Sequence, residues 1–300
     1  MRIEAWDCYA ESIEATQIST CFYPARLIYD RKIKETWGAG DALTKTQRVI
    51  NMTESLEVDL MAIGAHPDDV EVGCGGLLIK MAERGYRTGL VYLTRGEMGT
   101  GGTPEIRQQK ALAAAEIMGA RILTTLDFGD CRVQDNYQAR LEVARLIRQH
   151  KPKIILAPYW QGGHGKRAGH PDHLATGQIA INAANYATLK KLPIPDAPHR
   201  ISAMFHFFLP PEVAPIFVIN ITDQYDRWIQ ALSAHKSQFL NPEKDRNYLW
   251  GLESMARANG NLIGVKYRQS FGIGEPIMIE NIFCLIGTCR RMPDLTALAH

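Results

Sequence analysis

The feature that most constrains the fold is an alternation of short apolar runs, rich in Val, Ile and Leu, with longer segments of helical periodicity. It begins at Val58 and is typical of βαβ units, in which crossover helices join parallel strands. The apolar runs predict strands at 58–64, 89–94, 121–128, 154–158, 202–209 and 216–221, with further extended segments at 264–273 and 279–286. The sequence therefore predicts an α/β fold with a mostly parallel sheet flanked by helices, followed by C-terminal elaborations.

Capping residues and glycine stops mark the helices between these strands. Thr103 can cap a helix whose first turn holds Pro104 and Glu105, and Gly119 can end that helix. Similar patterns predict helices at 75–84, 137–150, 223–239 and 247–259.

Composition excludes several classes of function. A chain of 300 residues, 46% of them hydrophobic, can bury a sizeable core, but its net charge of +2 lacks the concentrated basic excess of a nucleic-acid-binding protein. No run approaches the roughly 20 apolar residues of a membrane span, and the N-terminus has no secretory signal pattern. We therefore expect a cytoplasmic protein with no nucleic-acid or membrane partner. The six cysteines form no CxxC pair and are expected to be reduced thiols.

Two clusters of histidine and aspartate follow predicted strands. They consist of His66, Asp68 and Asp69 after the first strand, and His170, Asp172 and His173 after the fourth. In open α/β sheets, ligands bind outside the carboxyl ends of the strands. Both clusters are therefore expected at the same edge of the sheet.

The spacing within each cluster suits a metal site. His66 and Asp69 are three residues apart, as are His170 and His173, and Pro171 suits the first turn of a helix. Two imidazoles and one carboxylate form a ligand set for catalytic zinc that leaves one position open for water. The remaining groups can supply a base for that water and a histidine that stabilises an oxyanion or protonates a leaving amine.

These residues resemble the LmbE-like (PIG-L) family of zinc-dependent N-acetylglucosaminyl deacetylases, which includes enzymes of mycothiol and bacillithiol biosynthesis. Residues 64–71 look like the first motif of the family and residues 169–173 like its second. The resemblance runs from about Val58 to Ile286. Segments 94–97, 102–107, 197–200 and 237–239 also look like the subgroup that contains bacillithiol-pathway deacetylases.

The resemblance implies a metal site and a base. His66, Asp69 and His173 would bind zinc, with ferrous iron as the alternative metal in the cell. Asp68 would be the general base.

Three more residues acquire roles from the same resemblance. His170, oriented by Asp172, would stabilise the tetrahedral intermediate, and Arg107 would contact the sugar or acyl part of the substrate. The resemblance also implies a Rossmann-like fold and a homo-oligomer. Its substrate would be a small amino-sugar conjugate, such as the N-acetylglucosaminyl malate of bacillithiol biosynthesis, from which acetate is released.

The domain division follows from the extent of the match. Residues 57–290 would form the deacetylase domain and 291–300 a tail. Residues 1–56 have no clear period and no counterpart in the family core, so they are interpreted as an N-terminal extension. The connection at 161–168 is longer and more basic than in many bacillithiol-type relatives, which affects the expected choice of substrate.

Two alternatives remain open from the residues alone. A metal-dependent hydrolase of another bond, such as a phosphoester, could use the same water activation, and two bound metals per chain would favour it. A sugar-binding protein could instead keep a metal without catalysis. An exchangeable water on the metal would speak against that second alternative, because structural zinc sites are usually closed by four protein ligands.

Overall fold

The computed structural model of the chain describes residues 57–162, 169–241, 246–276 and residue 278. Its centre is a five-stranded sheet in the order β3-β2-β1-β4-β5, and every neighbouring pair is parallel. The strands are β1 (Leu60–Gly64), β2 (Thr88–Tyr92), β3 (Arg121–Thr125), β4 (Ile154–Pro158) and β5 (Ala203–Phe207). This order is that of a doubly wound Rossmann-like sheet. The predicted fold class is confirmed.

Seven α-helices lie within the described part of the chain. They are α1 (Asp69–Glu83), α2 (Pro104–Met118), α3 (Tyr137–His150), α4 (Pro171–Thr188), α5 (Tyr225–Ala234), α6 (Lys236–Phe239) and α7 (Tyr248–Asn261). Apolar residues of α1, α2, α5 and α7 form the core on one face of the sheet, and those of α3 and α4 form the core on the other. Strand β1 contributes residues to both cores: Leu60 and Ala62 belong to the first, and Met61 and Ile63 belong to the second. This continuous apolar run is typical of a strand covered on both faces.

Four short strands are added outside the main sheet. They form two antiparallel pairs, β6 (Phe217–Asn220) with β9 (Arg268–Phe271), and β7 (Leu240–Asn241) with β8 (Arg246–Asn247). A single bridge between His206 and Gly272 connects the end of β9 to β5. These strands, with α7, are the predicted C-terminal elaborations.

Local signals placed several elements correctly. Helix α3 and strand β4 have the predicted bounds, and α2 begins after Thr103, whose side chain accepts a hydrogen bond from the Ile106 N–H at 3.4 Å. The left-handed conformation of Gly119 ends α2 as expected.

The predicted start of the first helix at Gly75 is wrong, because α1 begins at Asp69. The residues left out of the predicted helix, 69–74, include Gly73, and a glycine inside a helix costs about 1 kcal/mol relative to alanine. Packing explains the glycines of α1: a Cβ on Gly73 would lie 2.1 Å from the Phe207 ring, and one on Gly76 would lie 2.9 Å from Ile221. Tertiary contacts therefore select residues that local propensity disfavours.

The single helix predicted at 223–239 is also wrong. Helix α5 ends at Ala234 and α6 begins at Lys236, with His235 between them. The ring of His235 is buried against the Glu71 carboxylate of α1, with Nε2 3.0 Å from Oε1. This contact with a distant element lies outside what the local sequence pattern can indicate.

Some predictions lie outside the described residues, namely the extension at 1–56, the tail at 291–300, the extended segment at 279–286 and most of the connection at 161–168. The domain division stays a prediction. In the part of the chain that the structure describes, no helix is both long and apolar enough to cross a membrane. The expected cytoplasmic location stays a prediction as well.

A buried histidine on β5 gives the fold a pH-dependent stability. His206 is 1% exposed, its Nδ1 donates to the Pro158 carbonyl at 3.0 Å, and its ring packs on Trp160. Burial lowers the pKa of His206 from 6.5 to about 4. An unfolded chain therefore binds a proton near pH 6.5 that the folded chain rejects, so stability falls as the pH drops from 6.5 towards 4.

We predict that His206→Gln removes this part of the acid sensitivity. Between pH 7.5 and 5 the folded wild type should lose about 2 kcal/mol of unfolding free energy through His206 alone, and the variant should not. Denaturant unfolding at both pH values measures the difference. An equal loss in the two proteins would contradict the assignment.

Candidate metal centre and active site

The two histidine clusters meet at the point where the strand order of the sheet reverses. Strands β1 and β4 are neighbours, and the chain proceeds from β1 towards β2 on one side and from β4 towards β5 on the other. The carboxyl ends of two such strands form the crevice in which doubly wound proteins bind ligands. His66 follows β1, and His170 caps α4 after β4.

The three predicted metal ligands lie together. One oxygen of Asp69 is 3.4 Å from His66 Nδ1, and the other is 3.0 Å from His173 Nε2. The two imidazole centroids are 5.5 Å apart, and Asp69 is buried. A carboxylate that faces two imidazoles in a buried place suits a divalent cation, and this donor set fits zinc or ferrous iron.

The charges at this centre also favour a cation. Burial by itself lowers the pKa of His66, but Asp69, Asp130 and Asp68 outweigh it and raise the pKa to about 9. Burial would raise the pKa of Asp69, yet the nearby His173 and His66 hold it well below its usual range. The carboxylates thus stabilise positive charge at this point. The assignment of His66, Asp69 and His173 as ligands nevertheless stays a prediction.

The far side of the His66 ring is held by two carboxylates. Its Nε2 lies 3.0 Å from Asp130 Oδ1 and 3.3 Å from Asp172 Oδ2. A metal-binding histidine commonly donates its second N–H to such a carboxylate, which fixes the ring for coordination through the other nitrogen. Asp130 was missed in the sequence, although it follows β3 and therefore satisfies the same rule that selected the two clusters.

Asp172 contacts His170 through its main chain. The Asp172 N–H donates to His170 Nδ1 at 3.2 Å, while the carboxylate accepts from the Cys131 N–H at 2.7 Å. Because Nδ1 accepts this bond, a neutral His170 carries its proton on Nε2. Burial, together with His66 and His173, lowers the pKa of His170. His170 is therefore suited to act as a neutral hydrogen-bond donor.

Asp68 has the properties of a base that works near neutral pH. Burial and the adjacent Asp69 raise its pKa to about 7, against the opposing effect of Arg107. Its φ of 139° lies in a region that non-glycine residues rarely adopt. Such strain is found where the surrounding structure fixes a functional side chain.

Arg107 lies against Asp68. It is 4% exposed, and its guanidinium donates to Gly96 O at 2.7 Å, to Pro67 O at 3.1 Å and to Asp68 Oδ2 at 3.3 Å. A Cβ on Gly96 would lie 2.0 Å from Arg107 Nη1, so glycine is needed there. The structure thus places Arg107 as a support for Asp68, and its predicted contact with the substrate stays a prediction.

A buried network lies beneath the centre on α1. Glu71 accepts hydrogen bonds from Tyr92 Oη at 2.9 Å and from His235 Nε2 at 3.0 Å, and its main-chain oxygen accepts from Trp228 Nε1 at 2.7 Å. Residues of β2, α5 and the α5–α6 junction are thereby tied to the first turn of α1. Asp69 lies in that same turn.

A cleft of about 650 Å³ extends from the centre along α7 and β9. Asp68, Asp69 and His173 line it, and Leu252 and Ala256 form part of its apolar wall. Gln238, Arg268 and Gln269 also line it, and each has a buried side-chain nitrogen without a hydrogen-bond partner in the described part of the chain. Sequence reasoning missed Arg268 and Gln269, because their place beside the clusters depends on the β6–β9 pairing.

The chain is similar to known deacetylases. The family model for PIG-L, GlcNAc-PI de-N-acetylase, matches residues 61–184. Diacetylchitobiose deacetylase of Thermococcus kodakarensis is 31% identical over 225 residues, which are 70% of this chain and 80% of that protein. A probable N-acetyl-alpha-D-glucosaminyl L-malate deacetylase 2 of Bacillus cereus is 26% identical over 61% of this chain and 84% of its own length.

A solved structure has the same fold. The conserved protein TT1542 from Thermus thermophilus is 34% identical, with a TM-score of 0.66 over 74% of this chain and 97% of that one.

The geometry of the centre predicts that zinc stabilises the folded chain. Zinc at a thousand times its dissociation constant should raise the unfolding free energy by about 4 kcal/mol. His173→Ala should lose most of that gain, because it removes one of the three predicted ligands. His199→Ala is the matched control, since His199 bonds to Pro152 O at 2.8 Å. Thermal unfolding with zinc and with a chelator measures the effect. An undiminished zinc effect in His173→Ala would refute the ligand set.

Proposed function

This chain belongs to the PIG-L (LmbE-like) family, and we propose that it hydrolyses the N-acetyl group of an N-acetylglucosamine conjugate in a zinc-dependent reaction. The products are acetate and a free amine. The observation that carries the proposal is a largely buried carboxylate, Asp68, whose pKa is raised to about 7 beside the His66–Asp69–His173 centre. The first relative described above is named as a deacetylase of an N-acetylated sugar.

In this proposal His66, Asp69 and His173 hold the ion. When bound, zinc supplies a Lewis acid for the acetyl carbonyl and makes water a better nucleophile at neutral pH. Asp130 and Asp172 keep the His66 ring in place from its other side. Ferrous iron would suit the same donors.

Asp68 takes the proton from the attacking water. Its pKa near 7 allows it to accept a proton from the nucleophile and to return it to the nitrogen as the carbon–nitrogen bond breaks. Arg107 holds the carboxylate at 3.3 Å and keeps it from rotating away. Water thus contributes its hydroxyl to acetate and its proton to the amine.

His170 stabilises the developing oxyanion. Its Nδ1 is occupied by the Asp172 N–H, which leaves the Nε2–H as the donor. A donor that is already oriented costs no reorganisation when the negative charge forms on the carbonyl oxygen. Asp172 therefore positions His170 through the backbone and His66 through its carboxylate.

We propose a conjugate with an anionic aglycone, such as N-acetylglucosaminyl malate. Arg268 lines the cleft and forms no ion pair with a residue that the structure describes, and its Nε is buried. The carboxylates that line the cleft, Asp68 and Asp69, belong to the proposed catalytic centre. The relative from Bacillus cereus is named for a malate glycoside.

Replacement of the base tests the reaction. Asp68→Asn keeps an acceptor for Arg107 and should lower the rate of acetate release by about 10² to 10⁴-fold. Glu142→Gln, a surface change in an ion pair with Arg145, is the control and should keep full activity. Acetate is measured on a panel of N-acetylglucosamine conjugates, with phosphoesters included. Equal acetate release by the variant, or faster cleavage of phosphoesters by the wild type, would overturn the proposal.

Replacement of Arg268 tests the aglycone. Arg268→Gln should lower kcat/KM for the malate glycoside about tenfold to a hundredfold, since a hydrogen bond to a charged group is worth about 1.5–3 kcal/mol. For neutral diacetylchitobiose, kcat/KM of the variant should stay within twofold of the wild-type value. Arg257→Gln is the control, because Arg257 bonds to Tyr267 Oη at 2.9 Å. If both substrates lose activity equally in Arg268→Gln, the residue does not select an anion.

A further inference from the structure

A further set of side chains that could hold a metal ion lies beside the centre. Asp130, Cys131 and His170 each offer one ligand atom, and these three atoms lie within 4.8 Å of one another. Asp130 is buried, His170 is partly buried and Cys131 is exposed. The set can therefore be reached from solvent on the cysteine side.

The backbone fixes the cysteine in this position. Cys131 has a φ of 63°, and its N–H donates to Asp172 Oδ2 at 2.7 Å. Its Sγ lies 3.4 Å from Asp130 Oδ1. The turn after β3 thus directs a thiol towards a carboxylate and towards the imidazole that caps α4.

We propose that Asp130, Cys131 and His170 form a second cation site, which takes a thiophilic divalent ion such as zinc or cadmium. A thiolate is a soft ligand that favours these ions over magnesium or calcium. On binding, the Cys131 thiol releases its proton to solvent and the thiolate bonds to the ion. Asp130 contributes a carboxylate oxygen, and His170 contributes a ring nitrogen.

The second site is weaker than the centre at His66, Asp69 and His173. His170 Nδ1 already accepts the Asp172 N–H, and a neutral ring then has its proton on Nε2. An ion on His170 must displace either that hydrogen bond or that proton. Asp130 Oδ1 is also shared with His66 Nε2 at 3.0 Å. The second ion therefore binds only after the first has filled its own site.

Occupancy of the second site blocks catalysis. This step rests on the proposed function, in which the His170 Nε2–H is the donor to the oxyanion. An ion bound to His170 removes that donor or turns the ring away. Excess zinc therefore inhibits, whereas the second ion of a two-metal phosphoesterase would activate.

Cadmium titration of the full chain tests the site independently of activity. Protein loaded with one equivalent of zinc is titrated with cadmium, and the ultraviolet sulfur-to-cadmium charge-transfer absorption is recorded. Cys131→Ser should lose the absorption of one thiolate and weaken binding of that equivalent at least tenfold. Cys74→Ala is the control, because Cys74 is fully buried in the core and should contribute nothing. The same titration in wild type and Cys131→Ser would overturn the proposal.

Inhibition of acetate release by excess zinc tests the proposed inhibitory role of the second site. The zinc concentration that halves the activity should rise at least tenfold in Cys131→Ser, with unchanged activity at one equivalent of zinc. If cadmium binding depends on Cys131 but inhibition does not, the site exists and its inhibitory role is wrong. If no conjugate releases acetate, the proposed function fails while the cadmium result still decides the site.

Discussion

The carboxylate of Asp69 between two imidazoles is the contact on which the site depends. Its oxygens face His66 from the loop after β1 and His173 from the helix after β4. These loops meet because β1 and β4 are neighbours at the point where the strand order reverses. Asp69 is the first residue of α1, and His173 lies in the first turn of α4. Two helix N-termini therefore point at one place, and their dipoles favour the negative charge of the carboxylate.

Several carboxylates lie close together in this region. Their proximity favours catalytic chemistry there but lowers the stability of the fold. Asp69 is buried, the adjacent Asp68 is largely buried, and Asp130 approaches the same histidine. Arg107 lies against Asp68, but burial and the neighbouring Asp69 outweigh its effect, and the pKa of Asp68 stays near neutrality. The strained φ of Asp68 adds a further cost. Costs of this kind are expected at functional sites.

The sequence predicted what depends on local pattern and on the rule for parallel sheets. Strands of continuous apolar residues, the cap at Thr103 and the position of both histidine clusters at carboxyl ends followed from these alone. Contacts between distant elements could not be read in the same way. The early start of α1, the break at His235 and the place of Arg268 in the cleft each depend on such a contact. Asp130 could have been predicted from the sequence, because it too follows a strand of the sheet.

The residues whose structure could not be predicted from the local sequence are the ones that form the cleft. The glycines of α1 let Phe207 of β5 and Trp228 of α5 approach the helix backbone. Trp228 then donates to Glu71 O, and His235 bonds to the Glu71 carboxylate. The break at His235 starts α6, which carries Gln238 to the cleft wall. Glu71 and Asp69 share one helical turn. The packing that separates α5 from α6 therefore also holds the first turn of α1, in which Asp69 contacts His66 and His173.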